Sequence, residues 1–359
     1  MPTRFIRNSI LGAFVLIAVV GAVNYGVDPF QQYRVPSTYA PRFYPAFQRY
    51  ENPGIARNYD FDRAIVSSSL MENVSGSEVD RAFGYGKTFN LCLAALTSYE
   101  ARKLLEAMFA RGNVKEVIYN VDFNSFSGDP DRTGVPQPLP LYLYDERRWN
   151  DYPYVLSFAT LHRSIDILEG RSGERHSEDR DKPWAWGDTV KFSAKGVVEH
   201  LDVENLNKRF KQPQRTMDGM MKSFDRNLVA LVREHPDVKF IFVWPPYSIL
   251  VWADFAQRGQ LDLSLDFKRR FVTELARYPN VRIHDFQERR DWIGGLDEYL
   301  DIYHFSPRIS SGIITEIAAG RERLTPENVD ERNRALREMA LAANPGKIVA
   351  DALASAKPR

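Results

Sequence analysis

Three side chains that together could perform acyl transfer lie far apart in this chain of 359 residues. Ser69 comes directly after a short apolar run, and Asp301 lies three residues before His304. A serine hydroxyl has too high a pKa to attack an acyl carbonyl unaided. It needs an imidazole that accepts its proton and a carboxylate that orients the imidazole. We therefore predict Ser69 as nucleophile, His304 as general base and Asp301 as the orienting carboxylate. The alternative is a serine-rich turn, a surface or helix-capping histidine and a solvated loop acid.

Five short apolar runs could position these side chains, and segments with helical periodicity separate most of them. The runs are residues 63–67, 88–93, 116–121, 238–243 and 281–284. Strands that alternate with amphipathic helices predict a parallel sheet covered on both faces. We therefore expect an α/β three-layer sandwich of the flavodoxin type with a five-stranded parallel sheet. In that architecture ligands bind at the carboxyl ends of the strands, where Ser69 would lie.

Capping signals predict the helices near the C-terminus. Ser306 and Pro307 suit the N-cap and first positions of a helix that Gly320 ends. Thr325-Pro326 predicts the start of a further helix through about residue 343, followed by a frayed tail.

The N-terminal segment decides the expected compartment. Residues 8–27 carry no charge, and Arg4 and Arg7 precede them. If helical, these residues span about 30 Å, the thickness of the hydrocarbon core of a bilayer. A buried core helix is the alternative, but the terminal position and the preceding arginines favour membrane targeting. Because residues 20–23 form a poor cleavage site, we predict an uncleaved, single-pass anchor in the bacterial inner membrane. The basic end would stay in the cytoplasm and the soluble part would lie in the periplasm.

Composition along the chain predicts four regions. Residues 1–28 would be the anchor, 29–58 an extended linker that packs on the domain, 59–320 the α/β domain, and 321–359 a C-terminal helix and tail. An insertion at residues 124–215 interrupts the α/β domain, because this stretch is too long for an ordinary loop. It is rich in proline and tyrosine near its start and in charged residues in its middle, so we expect a solvated subdomain beside the site.

Composition also excludes several function classes. Lys and Arg total 48 and Asp and Glu total 47, and this net charge of +1 argues against a nucleic-acid partner. The single cysteine, Cys92, excludes an intramolecular disulfide and any multi-cysteine metal site. The 6 histidines show no metal-ligand spacing, so we expect no metal and no other cofactor.

Two short segments of this sequence resemble sequence blocks of the SGNH (GDSL-type) hydrolase superfamily. In that family a Gly-Asp-Ser-Leu-like block after the first strand bears the nucleophile, and Ser67-Ser68-Ser69-Leu70 stands in its place. A terminal Asp-x-x-His block completes the triad, and residues 301–304 match it. The resemblance is closest to a membrane-anchored, extracytoplasmic branch associated with acyl modification of cell-envelope polysaccharides. It implies an SGNH-like fold and the three catalytic roles given above.

Two further blocks differ from the family pattern. The family's second-block glycine, whose backbone N–H helps to bind the oxyanion, falls near residues 94–96, and Ala95 is the candidate. The third block, Gly-x-Asn-Asp, falls on residues 119–122. Either the Asn120 side chain donates to the oxyanion, or Asp122 takes that place beside the substrate. An ionised Asp122 cannot donate a hydrogen bond and would repel an oxyanion.

Aromatic residues after the fourth predicted strand have two interpretations. Trp244 and Tyr247, together with Trp252, could form a platform on which a sugar ring binds. Packing in the core or in a loop is the alternative.

Together these features predict an extracytoplasmic serine esterase or O-acyltransferase. Its substrate would be an acylated cell-envelope glycan or an acyl donor. The alternative is a catalytically silent SGNH-like domain that binds a glycan or a partner in an envelope-assembly complex.

Overall fold

The computed structural model of the protein describes residues 2–134, 138–199, 201 and 215–355. Residues 135–137, 200 and 202–214 of the predicted insertion and residues 356–359 of the predicted tail lie outside the described residues. The chain divides into two compact units. The N-terminal unit comprises Met1–Asp60, Lys103–Gly112 and Gln137–Pro183. The sheet unit comprises Phe61–Arg102, Asn113–Pro136 and Trp184–Arg359.

A five-stranded parallel sheet organises the sheet unit. Its strands are β1 (Arg63–Val66), β2 (Thr88–Asn90), β3 (Glu116–Asn120), β4 (Lys239–Trp244) and β5 (Val281–Asp285), in the order β2-β1-β3-β4-β5. Each strand pairs with its neighbour in parallel. Strands β1 and β3 are buried at every residue, which is typical of a sheet covered on both faces. The predicted α/β fold with a five-stranded parallel sheet is confirmed.

The strand order reverses next to β1. The chain leaves β1 to form the outer strand β2 on one side, and it then returns to form β3, β4 and β5 on the other side. The carboxyl ends of β1 and β3 therefore border a topological switch point, the place where α/β sheets bind ligands. The segments that follow these two strands carry Ser69 and Asp122. The fold thus brings two of the predicted site residues to one edge of the sheet.

Helices separate the strands, and a side-chain cap marks the start of a long one. The helices of the sheet unit are Gly76–Phe83, Ala194–Glu199, Met217–Phe224, Ala230–Glu234, Ile249–Gln257, Leu261–Leu275, Arg290–Ile293, Pro307–Ala318, Val329–Ala342 and Pro345–Ser355, while Ser98–Phe109 includes residues of both units. Ser306 Oγ accepts the Ile309 N–H at 3.4 Å, and Pro307 occupies the first helical position, as predicted. The helix ends before Gly320, whose φ is +71°.

The next helix begins later than its sequence signal predicts. It spans Val329–Ala342 and does not include Thr325-Pro326. Residues 325–328 close a turn instead, because Asn328 Oδ1 accepts the Thr325 N–H at 2.8 Å and Thr325 O accepts the Asn328 N–H at 3.2 Å. A further helix, Pro345–Ser355, lies in the region predicted as a frayed tail.

Besides its part of Ser98–Phe109, the described residues of the N-terminal unit form a long apolar helix and three shorter ones. They are Pro2–Val27, Gln48–Asn58, Tyr152–Val155 and Phe158–Leu168. Within Thr3–Val27 an 18-residue segment has a mean hydropathy of 2.2, and the helix is long and apolar enough to cross a membrane. The helix Gln48–Asn58 lies where an extended linker is predicted. Pro53 and Gly54 in its interior both disfavour helices, so the sequence does not indicate a helix there. Packing requires Gly54, since a Cβ there would lie 2.5 Å from the carbonyl oxygen of Gln31.

Candidate active site

The side chains of Ser69, His304 and Asp301 form one hydrogen-bonded chain in the sheet unit. Ser69 Oγ lies 2.8 Å from His304 Nε2, and His304 Nδ1 lies 2.7 Å from Asp301 Oδ2. With the ring proton assigned to Nδ1, the imidazole donates to the carboxylate and its Nε2 accepts the hydrogen bond of the hydroxyl. The structure therefore brings together the three residues that sequence reasoning selected, in the arrangement that a serine nucleophile needs.

A local turn holds the Asp301 carboxylate in place. Its Oδ1 accepts the backbone N–H groups of Tyr303 and His304, both at 2.8 Å. This leaves Oδ2 to face the imidazole ring of His304. The spacing of three residues is what allows one carboxylate to accept from the backbone and from the ring of the same histidine.

Electrostatics at the triad favour proton transfer to the histidine. Burial opposes charge on the His304 ring, but the hydrogen bond and negative charge of Asp301 outweigh it and raise the pKa of His304 above 6.5. Burial also opposes charge on Asp301, yet contacts with His304 and with the backbone N–H groups lower the pKa of Asp301 below 3.8. A fixed carboxylate beside a basic imidazole is the pairing that suits a general base.

Strand β1 and the turn after it position Ser69. Ser67 Oγ and Ser68 Oγ donate to Asn120 Oδ1 at the end of β3, at 2.8 and 3.2 Å. Leu93 N donates to Ser67 O at 2.8 Å, which ties the turn to the segment after β2. Two neighbouring strands therefore support the turn on which the Ser69 hydroxyl is carried.

Asn120 supports this turn in the structure. Its side chain is buried, and its amide oxygen faces the two serine hydroxyls. Its Nδ2 donates to the carbonyl oxygen of Val121 at 3.3 Å. These contacts occupy the amide with neighbouring protein groups, and donation by Asn120 to an oxyanion stays a prediction.

Asp122 lies near the triad and is half-buried. Its Oδ1 accepts the Asn124 N–H at 2.7 Å and so caps the short helical turn Phe123–Phe126. Burial raises the pKa of Asp122, although the Asn124 N–H opposes this shift. The negative charges of Glu72 and Asp122 also help to raise the pKa of His304, by less than Asp301 does. Contact between Asp122 and a substrate stays a prediction.

Ala95 lies in a tight turn with an unusual backbone conformation. Leu96 N donates to Leu93 O at 3.0 Å, which closes the turn, and the φ of Ala95 is +54°. An L-residue in this region costs about 1–2 kcal/mol, whereas glycine adopts it freely. The family that this sequence resembles has glycine at the position of Ala95, and the backbone conformation observed there favours glycine. The part of the Ala95 N–H in binding an oxyanion stays a prediction.

The three aromatic residues considered as a sugar platform are buried. Trp244, Tyr247 and Trp252 are 0–1% exposed. Their rings pack around Phe123, with ring centroids 4.8, 6.3 and 6.0 Å from it. No ring face is left for a ligand, so the predicted binding role of Trp244 and Tyr247 does not fit this structure. These rings pack in the core instead.

Two residues near the triad escaped sequence reasoning. The Trp186 ring packs edge-on against the His304 ring, with centroids 5.7 Å apart and planes at 86°. Asn73 Oδ1 accepts the backbone N–H groups of Trp186 and Gly187 at 2.9 and 2.8 Å, which fixes the loop that carries the tryptophan. Trp186 comes from the predicted insertion, whose composition gave no catalytic signal. The position of Asn73, four residues after Ser69, was the signal that could have indicated its role.

The described part of the chain contains no group of three or more His, Cys, Asp or Glu side chains that could hold a metal ion. Cys92 is buried, and burial raises the pKa of its thiol well above 9.0. His304, Asp301 and Asp122 are among the titratable groups near Ser69 with shifted pKa values.

No family model and no curated protein matches the chain. The chain is similar to the solved structure of an active site mutant of a family two carbohydrate esterase from Clostridium thermocellum. The match has a TM-score of 0.32 and 10% identity, and it covers 72% of this chain and 62% of that chain. The chain thus spans less than two thirds of that structure, and at this level of similarity the match carries no argument about activity.

Proposed function

We propose that the protein is a membrane-anchored serine esterase or O-acyltransferase of the SGNH type. It acts outside the cytoplasm on an acyl ester of a cell-envelope glycan. The observation that carries this proposal is the chain of contacts from Ser69 Oγ through the His304 ring to Asp301. Ser69 and His304 are 235 residues apart in sequence, and an ordinary turn serine and a surface histidine have no reason to align in this way.

The first half of the reaction forms an acyl-enzyme. Ser69 Oγ attacks the acyl carbonyl while His304 Nε2 accepts the hydroxyl proton, and Asp301 stabilises the imidazolium that results. The backbone N–H groups of Ser69 and Ala95 are the donors we assign to the oxyanion of the tetrahedral intermediate. The intermediate then collapses, and His304 returns the proton to the departing alkoxide.

The second half transfers the acyl group to an acceptor. His304 removes a proton from the acceptor hydroxyl, which attacks the carbonyl of the acyl-enzyme. The tetrahedral intermediate collapses by breaking the bond to Ser69 Oγ, and His304 returns the proton to that oxygen. Water as acceptor gives an esterase, and a sugar hydroxyl gives an O-acyltransferase. Both outcomes use the same three side chains, so the acceptor must be identified by experiment.

The expected compartment follows from the N-terminal helix. Thr3–Val27 has the length and composition of a membrane span, and Arg4 and Arg7 lie at its start. Because basic residues remain on the cytoplasmic side, this orientation leaves the sheet unit in the periplasm of a bacterial cell. The substrate that we assign to this compartment is an acylated cell-envelope glycan, and an envelope-assembly complex is the partner that would supply it.

Labelling with a fluorophosphonate probe tests the nucleophile. We expect the full-length protein in detergent to react, and peptide mapping to place the adduct on Ser69. Ser69→Ala should abolish labelling, whereas Ser77→Ala, at an exposed serine on the next helix, should retain it. A folded wild-type protein that does not react, or an adduct on another serine, would contradict the proposal and favour the catalytically silent binding domain.

An acceptor competition separates hydrolysis from transfer. The purified protein is supplied with p-nitrophenyl acetate, and released acetate is measured with and without an oligosaccharide. Acetylated oligosaccharide that forms at the expense of free acetate, and is lost in Ser69→Ala, identifies a transferase. Unchanged acetate release identifies an esterase.

A further inference from the structure

A short stretch of the N-terminal unit exposes large apolar side chains to an unusual degree. Trp149, Tyr152, Leu156 and Phe158 are 76%, 63%, 41% and 70% exposed. Surfaces of soluble proteins expose such residues singly, and a cluster of them indicates an interaction site. The partner of this cluster can be inferred from the element against which it packs.

The cluster is attached to the long apolar helix near the carboxyl end of that helix. A Cβ on Gly21 would lie 3.2 Å from Leu156 Cδ2 and 3.6 Å from Val155 Cγ1, so the two segments touch there. Three residues further along, the buried side chain of Asn24 contacts the same stretch. Its Nδ2 donates to Val155 O at 2.8 Å and to Ser157 O at 2.9 Å.

These hydrogen bonds reach backbone carbonyl groups between two helices. The stretch joins the helix Tyr152–Val155 to the helix Phe158–Leu168. Val155 O lies at the end of the first helix, where carbonyl groups lack a partner in the helix, whereas Ser157 O also accepts the Leu161 N–H at 2.9 Å. In contact with lipid, a carbonyl without a hydrogen-bond partner is destabilising, because no water is present to replace that partner. Asn24 removes this cost at Val155 O and adds a second hydrogen bond at Ser157 O, and its own Oδ1 accepts the Ser164 hydroxyl at 3.0 Å. The junction is therefore polar inside and apolar outside, which suits lipid surroundings.

Aromatic and basic side chains mark the level at which the long helix leaves the membrane. The rings of Tyr25 and Tyr33 lie 4.9 Å apart, Arg34 lies 4.9 Å above Tyr25, and Arg148 lies 5.5 Å above Tyr33. Tyrosine and arginine are typical of the membrane–water interface. From Arg7 to Tyr25 a helix rises about 27 Å, close to the thickness of the hydrocarbon core.

The contact at Gly21 lies deeper than this level. Gly21 precedes Tyr25 by four residues, so the helix places it about 6 Å further into the bilayer. Interfacial segments insert their apolar side chains about 5–10 Å into the boundary between headgroups and acyl chains. Leu156, which touches Gly21, falls within that range.

We propose that residues 149–158 form a second membrane contact, which inserts into the outer leaflet beside the anchor helix. This inference rests on the proposed membrane anchor. The ligand is the lipid bilayer itself, in the region between the headgroups and the upper acyl chains. The long helix and the inserted segment together restrict the N-terminal unit to one orientation, since a single helix alone leaves it free to rotate and tilt.

Depth-dependent fluorescence quenching tests this contact. The full-length protein carries an environment-sensitive fluorophore at one introduced cysteine and is reconstituted in phosphatidylcholine–phosphatidylglycerol nanodiscs. Phe158→Cys reports on the inserted segment, Phe14→Cys on the middle of the anchor helix, and Leu341→Cys on an exposed apolar position of the sheet unit. Trp149→Cys provides a second probe of the segment. The unsubstituted chain, labelled in parallel, corrects for reaction at buried Cys92.

Lipids with a nitroxide near the headgroup should quench the Phe158→Cys and Trp149→Cys probes more than lipids with a deep nitroxide. The order should reverse at Phe14→Cys, and both lipids should leave the Leu341→Cys probe unquenched. If the two segment probes behave like Leu341→Cys while Phe14→Cys is quenched, the second membrane contact is refuted and the anchor stands. If Phe14→Cys is not quenched either, the anchor itself is refuted, and this inference with it.

Discussion

Replacing Ala95 by glycine should stabilise the protein, although such a change usually destabilises. Alanine at the observed φ of +54° costs about 1–2 kcal/mol of strain. Glycine removes this strain, but it makes the unfolded chain more flexible, which costs about 0.4–1 kcal/mol. The difference, about 0–1.6 kcal/mol, predicts that Ala95→Gly raises the free energy of unfolding, with a central value of about 0.8 kcal/mol.

The adjacent residue provides a matched control. Ala94 is absent from the described residues with positive φ, so Ala94→Gly removes no such strain. We expect Ala94→Gly to lower the free energy of unfolding by about 0.4–1 kcal/mol. Urea denaturation of the full-length chain in detergent, followed by tryptophan fluorescence, measures both variants. Equal destabilisation by the two substitutions would show that the strain argument is wrong.

The same variant bears on the oxyanion. Glycine keeps the backbone N–H that we assign to the oxyanion and removes the methyl group beside it. With p-nitrophenyl acetate, kcat/KM of Ala95→Gly should therefore equal or exceed that of the wild-type protein. A tenfold fall would correspond to about 1.4 kcal/mol of lost transition-state stabilisation. Such a fall in a folded variant would mean that the conformation of this turn does not serve catalysis in the way we propose.

Three further predictions follow from individual contacts. Asp301→Asn removes the charge that keeps the pKa of His304 above 6.5, so burial should bring that pKa below 6.5. Because His304 must be neutral to act as a base, the acid limb of the pH profile of kcat/KM should move to lower pH. The value of kcat/KM on the plateau should fall by about 10⁴-fold. An acid limb that does not move would contradict the pairing of Asp301 with His304. Asn73→Ala leaves two backbone N–H groups of the Trp186 loop without an acceptor. It should lower the free energy of unfolding, measured by urea denaturation, by about 1–3 kcal/mol. Asn73→Asp keeps an acceptor and should lower it by less. Lys268→Met leaves the buried Asp285 without its ion-pair partner and should cost about 3–5 kcal/mol by the same assay; a loss below 1 kcal/mol, the value of a surface pair, would contradict this.

Local patterns predicted the elements well because the interactions that form them connect near neighbours in the chain. Ser306 caps the helix that it immediately precedes, and the buried residues of β1 and β3 follow one another directly. The Asp-x-x-His block is equally local, since Asp301 contacts both the backbone and the ring of His304 within one turn.

Other features escaped sequence reasoning because they depend on residues from distant segments. Whether Trp244 faces a ligand or the core is decided by Phe123, which comes from another part of the chain. Asn73 supports a loop that lies 113 residues further along the chain. The helix Gln48–Asn58 contains Pro53 and a glycine, and only its packing explains why the chain is helical there.

By itself the sequence determined an apolar N-terminal helix, an alternation of strands and helices, and an aspartate–histidine turn. Each of these depends on residues within a few turns of the chain, so composition and spacing suffice to predict it. Only the tertiary structure decided the 2.8 Å contact between Ser69 and His304 and the position of Trp186 against the imidazole. These contacts depend on how the carboxyl ends of parallel strands meet, which is set by the packing of segments more than one hundred residues apart.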